Sequence, residues 1–199
     1  TNGSVAPGTY TGNGNRDIDF RGKTLSVLSE QGPFLTILDC GGSALEPHRA
    51  FLLRSGEPVG TLIDGFSIMN GYVNSASGGG AIVCENASVT VRHCVLSGNA
   101  AGQGGAISCF NGSLSISDTL VSGNAAAIGG ALYLESVQLT LKNATIAGNS
   151  ATANGGGIYA RSCRPSCQVL NTTITGNSAG SAGGGVVVDA GAPPAAVAG

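Results

Sequence analysis

The chain has 199 residues, a net charge of −2 and only 10% charged side chains, against about 25% in ordinary domains. With no basic patch, nucleic acid is disfavoured as a partner. Glycine supplies 34 residues without a Gly-X-Y period, which excludes collagen, and 42% apolar content excludes disorder on composition. No apolar run approaches the ~20 residues of a membrane span, and no signal peptide is legible. Thr1 is an abrupt start, and the Ala/Pro-rich stretch from Ala190 to Gly199 follows soon after a repeat begins. The expectation is a mature or partial piece of something longer.

In chain order, the segment 1–22 runs from Pro7-Gly8-Thr9-Tyr10 to Asp19-Phe20 and is expected to form an N-terminal cap or an irregular first coil. The segment 23–199 is expected to be coils, the last one incomplete. Ala50-Phe51-Leu52-Leu53 reads as the first strand of a coil, and Lys23-Thr24-Leu25-Ser26-Val27-Leu28 as the first strand of the coil before. Thr36-Ile37-Leu38-Asp39 returns one repeat later as Thr61-Leu62-Ile63-Asp64. That spacing predicts Asp39 and Asp64 stacked in adjacent coils, with Arg92 next.

From Gly79 the period is explicit. Gly79-Gly80-Ala81-Ile82 recurs at Gly104, Gly129, Gly155 and Gly183, in steps that lengthen slightly toward the end. Gly98-Asn99 keeps pace at Gly123-Asn124, Gly148-Asn149 and Gly176-Asn177. Within each unit apolar residues alternate, as in Ile82-Val83-Cys84 and Val89-Thr90-Val91, so two or three short strands per unit are expected and no helix. A unit of about 25 residues cannot bury its own apolar edge, whereas stacked units can. The fold class read from this is all-β, a right-handed parallel β-helix (solenoid) of about six to seven coils. The stacked asparagines are expected to form an amide ladder.

Pro7-Gly8-Thr9-Tyr10, Gly22-Lys23-Thr24-Leu25 and Ile37-Leu38-Asp39-Cys40-Gly41-Gly42 resemble the opening of secreted right-handed β-helix repeat proteins. Ile63-Asp64-Gly65-Phe66-Ser67-Ile68 resembles a later coil of that family. The Gly-Gly-Ala-Ile and Gly-Asn units resemble, more distantly, polymorphic outer-membrane protein repeats. The resemblance implies a fold and an extracellular or cell-surface setting. It implies no activity, because the family hosts enzymes and surface proteins alike.

Six cysteines and five Asn-X-Ser/Thr sites, at Asn2, Asn86, Asn111, Asn143 and Asn171, suit secretion. Each sequon is either a glycan site or a turn asparagine. Cys84 and Cys109 are expected to stack inward as thiols. Cys163 and Cys167, inside an insertion that disturbs the period, are the favoured disulfide. Cys40 and Cys94 are left unpaired, and no metal site or cofactor is expected. Asn13, Asn15, Asp17 and Asp19 offer oxygens outside any EF-hand spacing. His48 and His93 show no partner for general-base work.

Outward positions of the first strand column are the place for chemistry. One row reads Val83, Ser108, Tyr133, Tyr159, Val187; the next reads Glu85, Phe110, Glu135, Arg161, Asp189. Tyr133 and Tyr159 suit stacking on sugar rings. Glu85 and Glu135, two coils and roughly 10 Å apart, lie near the upper range of spacing for an inverting carboxylate pair. The competing reading is a solvated ladder in which Glu135, Arg161 and Asp189 offset one another. The favoured function is an extracellular structural, adhesive or filament-forming module, stacking on itself end to end or contacting glycans. The alternative is a polysaccharide-binding or polysaccharide-cleaving enzyme.

Overall fold

A computed structural model describes residues 2–74, 78–163 and 167–190, and the side chain of Asn2 lies outside that description. No helix occurs among the described residues. Short strands assemble into four parallel sheets, three of seven strands and one of five, giving a solenoid of about seven coils. Sheet I runs from Ile18–Asp19 to Val186–Asp189, sheet II from Asn2–Val5 to Gln168–Leu170, and sheet III from Gly8–Tyr10 to Thr173–Thr175. Sheet IV runs from Tyr72–Val73 to Ser178–Ala179. The chain visits I, II, III and IV in turn. From Gly79 on, each coil therefore has four strands rather than the two or three expected. The fourth was hidden because its registered residues, Ala101, Ala126, Ala151 and Ala179, barely register as apolar.

Register follows directly from the period. Ile82 lies opposite Ile107, Ile107 opposite Leu132 and Leu132 opposite Ile158, with Phe51 before them. All five are buried, as are Ile63, Val91, Ile116 and Leu141 in sheet II and Ile68, Leu96, Val121 and Ile146 in sheet III. Each contributes about 1.5–3 kcal/mol by leaving water. Between sheets IV and I the chain folds tightly, and the repeated glycines permit it. Gly104 has φ +61 and a Cβ there would strike the Ile107 carbonyl; a Cβ on Gly105 would strike the Gly130 carbonyl of the next coil. The glycine marker is therefore a packing requirement between coils as well as a turn requirement.

The second marker builds the ladder. Asn99, Asn124 and Asn149 are buried. Asn99 donates its backbone N–H and its Nδ2 to Asn124 Oδ1, each at 3.0 Å; Asn124 repeats this to Asn149 Oδ1, each at 2.9 Å. Asn149 does the same to Asn177 Oδ1, each at 2.9 Å. The second Nδ2 proton of each side chain serves a carbonyl of the preceding coil, such as Leu96 for Asn124. No buried amide in the row is left unsatisfied, as burial demands.

The N-terminal coils depart from the expected register. Thr36–Asp39 lies in sheet III, with Ile37 opposite Ser67, while Leu62–Asp64 lies in sheet II. Asp39 and Asp64 therefore do not stack; the second half of the expectation holds, since Asp64 is opposite Arg92. Ser26–Ser29 also belongs to sheet II, and the strand of sheet I before Phe51–Leu53 is Ile18–Asp19. The cause is loop length. Ile18 meets Phe51 and Ser26 meets Leu62, both steps longer than any between the glycine markers, so a search at the regular period joins different sides of the solenoid. The strands within the first segment, at 2–5, 8–10 and 18–19, join sheets II, III and I.

Candidate functional site

The outward row of sheet I is packed over by its own neighbours. Val83, Ser108 and Tyr133 are buried although they point away from the core. The Tyr133 ring lies 5.6 Å from Tyr159, stacked, and 5.4 Å from Phe110, tilted. Its hydroxyl donates to Glu135 Oε2 at 2.8 Å. Burial first and the Glu135 carboxylate second push the Tyr133 hydroxyl up to about 12. At 4% exposed, Tyr133 has no ring face left for a sugar. Tyr159 is half-buried and donates to Asp189 Oδ2 at 2.9 Å; burial and then Asp189 raise its hydroxyl. Tyr133 is thus covered by its neighbours, while Tyr159 stays half-buried beside it.

Register places Glu85, Phe110, Glu135, Arg161 and Asp189 in one row, as the spacing predicts. Arg161 Nη1 approaches Glu135 Oε1 at 3.7 Å. Glu85 lies near Arg49, a buried guanidinium that donates to the Gly78 carbonyl. Burial lowers the Arg49 pKa, and Asp17 and Glu85 oppose that shift. Glu135 of the candidate pair thus already faces a cation, the arrangement of an ion ladder rather than of an open acid–base cleft. Ser108 Oγ is buried with no hydrogen-bond partner among the described residues.

Both histidines do have partners, which spacing alone did not reveal. His48 Nδ1 pairs with Asp17, and His93 Nδ1 meets Asp64 Oδ1 at 2.8 Å beside Arg92 Nε at 2.8 Å on Oδ2. The side-chain hydrogen bonds among the described residues bring no hydroxyl to either ring, so neither pair extends to a triad. Of the residues weighed for calcium, Asn13 Oδ1 accepts from Arg16, Asp17 from His48 and Arg49 N–H, and Asp19 from Arg21 N–H, while the Asn15 amide donates to the Thr11 carbonyl at 2.9 Å. Among the described residues no cluster of three His, Cys, Asp or Glu is placed to hold a metal ion.

Four sequons sit at two corner columns. Asn86 and Asn111, with φ 52 and 50, close the turn after sheet I; Asn143 and Asn171, with φ 50 and 47, close the turn after sheet II. Asparagine is among the few non-glycine residues that tolerate this left-handed backbone, so the fold itself accounts for its presence. The hydroxyl residue two places on is an outward strand position, as with Ser88 and Thr145. All four asparagines are exposed, and Asn143 Nδ2 donates to Asp118 at 3.1 Å. The Asn2 side chain lies outside the described residues.

Cys163 and Cys167 stand at disulfide distance, with Cα atoms 6.2 Å apart; Arg164, Pro165 and Ser166 between them lie outside the described residues. Cys40, Cys84, Cys94 and Cys109 are free and buried. Cys84 lies opposite Cys109, whose pKa is raised by the adjacent Cys84 thiol and then by burial. Burial pushes Cys40 and Cys94 up to about 12. These thiols act as small apolar core residues.

Glu57 was not singled out by its sequence context, yet its carboxylate is buried and accepts from Gly22 N–H at 2.9 Å and Ser55 N–H at 3.1 Å. It ties two N-terminal loops together.

Stacked parallel sheets, an inward apolar core and an asparagine ladder define the class, a parallel β-solenoid. The model of the right handed beta helix region matches residues 53–195, and the chain belongs to that family. Comparison with curated proteins and with solved structures returned no match.

Proposed function

We propose that this chain is an extracellular structural or adhesive β-helix module, one that acts through its surfaces and ends rather than through catalysis. The observation that carries the reading is the state of its outer face. Tyr133 is covered, Glu135 is met by Arg161, and the row is knit into itself rather than opened as a cleft. The exposed corner asparagines and the Cys163–Cys167 pair support an extracellular or cell-surface setting. The distant likeness to polymorphic outer-membrane repeats points the same way.

Fractionation of the producing cells tests this directly. The protein is expected at the surface or in the medium, with glycopeptides spanning Asn86, Asn111, Asn143 or Asn171. Retention inside the cell without glycan contradicts the setting. Cleavage of any polysaccharide in a panel of acidic and neutral polymers, lost on Glu135→Gln, would replace this reading with the enzymatic one.

A further inference from the structure

The chain contains five Asn-Gly pairs, beginning at Asn2, Asn13, Asn70, Asn111 and Asn154. In such a pair the backbone nitrogen of glycine attacks the preceding carboxamide most easily, because no Cβ stands beside it. The fold treats the four pairs whose side chains are described very differently.

Three are held. Asn70 donates Nδ2 to Asp39 Oδ1 at 3.0 Å, and Gly71 N–H donates to Asn99 Oδ1 at 2.9 Å. Asn154 Oδ1 accepts from Ala182 N–H at 3.2 Å, and Gly155 N–H donates to the Ala182 carbonyl at 2.9 Å. Asn13 Oδ1 sits in the fork of Arg16, inside a turn closed by Asn15 N–H on the Gly12 carbonyl at 3.2 Å. In each pair the carboxamide, the attacking nitrogen or both are tied down. Asn111 differs. Its side chain is exposed and makes no hydrogen bond among the described residues, and Gly112 N–H finds no acceptor among them.

The packing of the coils dictates this pair. Asn111 closes the corner after sheet I with φ 50, a backbone that favours asparagine over most residues. A Cβ at position 112 would strike the Ala87 carbonyl of the preceding coil, so glycine is required there. The other corner asparagines, Asn86, Asn143 and Asn171, are followed by Ala87, Ala144 and Thr172, whose side chains hinder the same attack.

We infer that Asn111 is a modification site, at which the folded chain selects one asparagine for spontaneous deamidation. The Gly112 nitrogen gives up its proton to solvent base and bonds to Asn111 Cγ; the carboxamide nitrogen leaves as ammonia, and a cyclic imide remains. Water then opens the imide at one of its two carbonyls. Breaking the new bond from Gly112 N to Cγ leaves aspartate in an intact main chain. Breaking the original peptide bond leaves isoaspartate, with the main chain rerouted through the former side chain. Water is the only co-reactant consumed, so the step does not depend on the compartment proposed above.

Either product adds a negative charge to a chain of net charge −2, beside Glu135, whose carbonyl accepts Asn111 N–H at 2.9 Å. Isoaspartate also lengthens the main chain by a methylene between that bond and the one from Ser113 N–H to the Ala87 carbonyl at 3.1 Å. The corner of this coil then loosens, while the asparagine ladder on the opposite side of the coil keeps its bonds.

The full chain, produced in a host that adds no N-glycan, is aged at neutral and mildly alkaline pH, digested in acid and mapped by mass spectrometry. Isoaspartate is detected by enzymatic methylation of its carboxylate. Asn111 is expected to convert several-fold faster than Asn13, Asn70 and Asn154, faster still at alkaline pH, with an acidic species growing on ion exchange. In urea the restraints are gone and the four rates should converge. Asn111→Ser is expected to fold, since Ser136 and Ser162 hold the same corner at φ 55 and 52, and to abolish the acidic species. Hydrogen exchange of aged wild type should show lost protection at Ser113. Conversion of Asn111 no faster than that of the three held asparagines in the folded chain overturns the assignment, as does an acidic species that persists in Asn111→Ser.

Discussion

The two halves of this solenoid reach the same architecture by different means. Past Gly79, near-identical coils stack on repeated devices, the glycine pair and the amide ladder, each serving every coil alike. Before it, the coil steps in sheet I from Ile18 to Phe51 and from Phe51 to Ile82 overrun the regular unit, and single side chains do the joining. Glu57 gathers Gly22 and Ser55. Arg49 reaches Gly78, Asp17 holds His48 and the Arg49 N–H, and Phe20 meets Phe51 edge-on at 5.7 Å. Regularity thus trades individual anchors for shared ones. Damage to a shared device should propagate through neighbouring coils, while damage to an anchor should stay local.

Breaking the glycine device gives the largest effect. Gly130→Val would drive a side chain into the Gly156 carbonyl and should cost more than about 4 kcal/mol or prevent folding. Gly123→Ala, with nothing within 4 Å of its Cβ, should cost only about 1–2 kcal/mol for its left-handed backbone. Urea melts of the two variants compare them, and similar losses would refute the packing argument. Next comes the ladder. Asn124→Ala strands donors and acceptors on both sides and should cost about 3 kcal/mol. Glu57→Ala in the irregular half should cost about 2 kcal/mol by removing two hydrogen bonds to a charged acceptor. Hydrogen exchange sharpens that contrast, with Asn124→Ala loosening several coils and Glu57→Ala loosening the loops at Gly22 and Ser55.

Alkaline pH probes the thiols of the irregular half and of the first regular coil. Cys40 and Cys94 rise from the ordinary thiol value of 9.0 to about 12 in the folded chain. Below pH 9 both states keep the proton. Between pH 9 and 12 the unfolded chain loses it first, so stability should fall across that window. Native Cys40 and Cys94 should resist a thiol reagent at neutral pH and react once unfolded; rapid native labelling would contradict their burial. The smallest effect is expected at Ser108→Ala, within about 1 kcal/mol of wild type in a urea melt, because the hydroxyl has no partner to lose.

Legibility in the sequence followed the same divide. From Gly79 the two markers gave register directly, and Ile82, Ile107 and Leu132 stack as the spacing predicts. The Asn99 to Asn177 row was readable as a ladder because equal spacing stacks equal side chains. In the N-terminal coils Thr36–Asp39 and Leu62–Asp64 look like copies only because strands on different sides share one alternating pattern. Around the outer row, spacing identified the members but not their cover. That Tyr133 is buried depends on Phe110 and Tyr159 leaning over it, a matter of rotamers and ring contacts. The sequons were visible as motifs, while their backbone reason emerged only with the positive φ at each corner.

The central claim is that one stack of registered coils includes the irregular half. Ser4, Leu28, Asp64, Arg92, Ser117 and Lys142 form one row across five register steps. Spin labels at exposed Ser4 and Lys142 should therefore report a narrow distance near ~24 Å, five steps of about 4.8 Å. A broad distribution, or a distance far from that value, would mean that the two halves do not share a single stack.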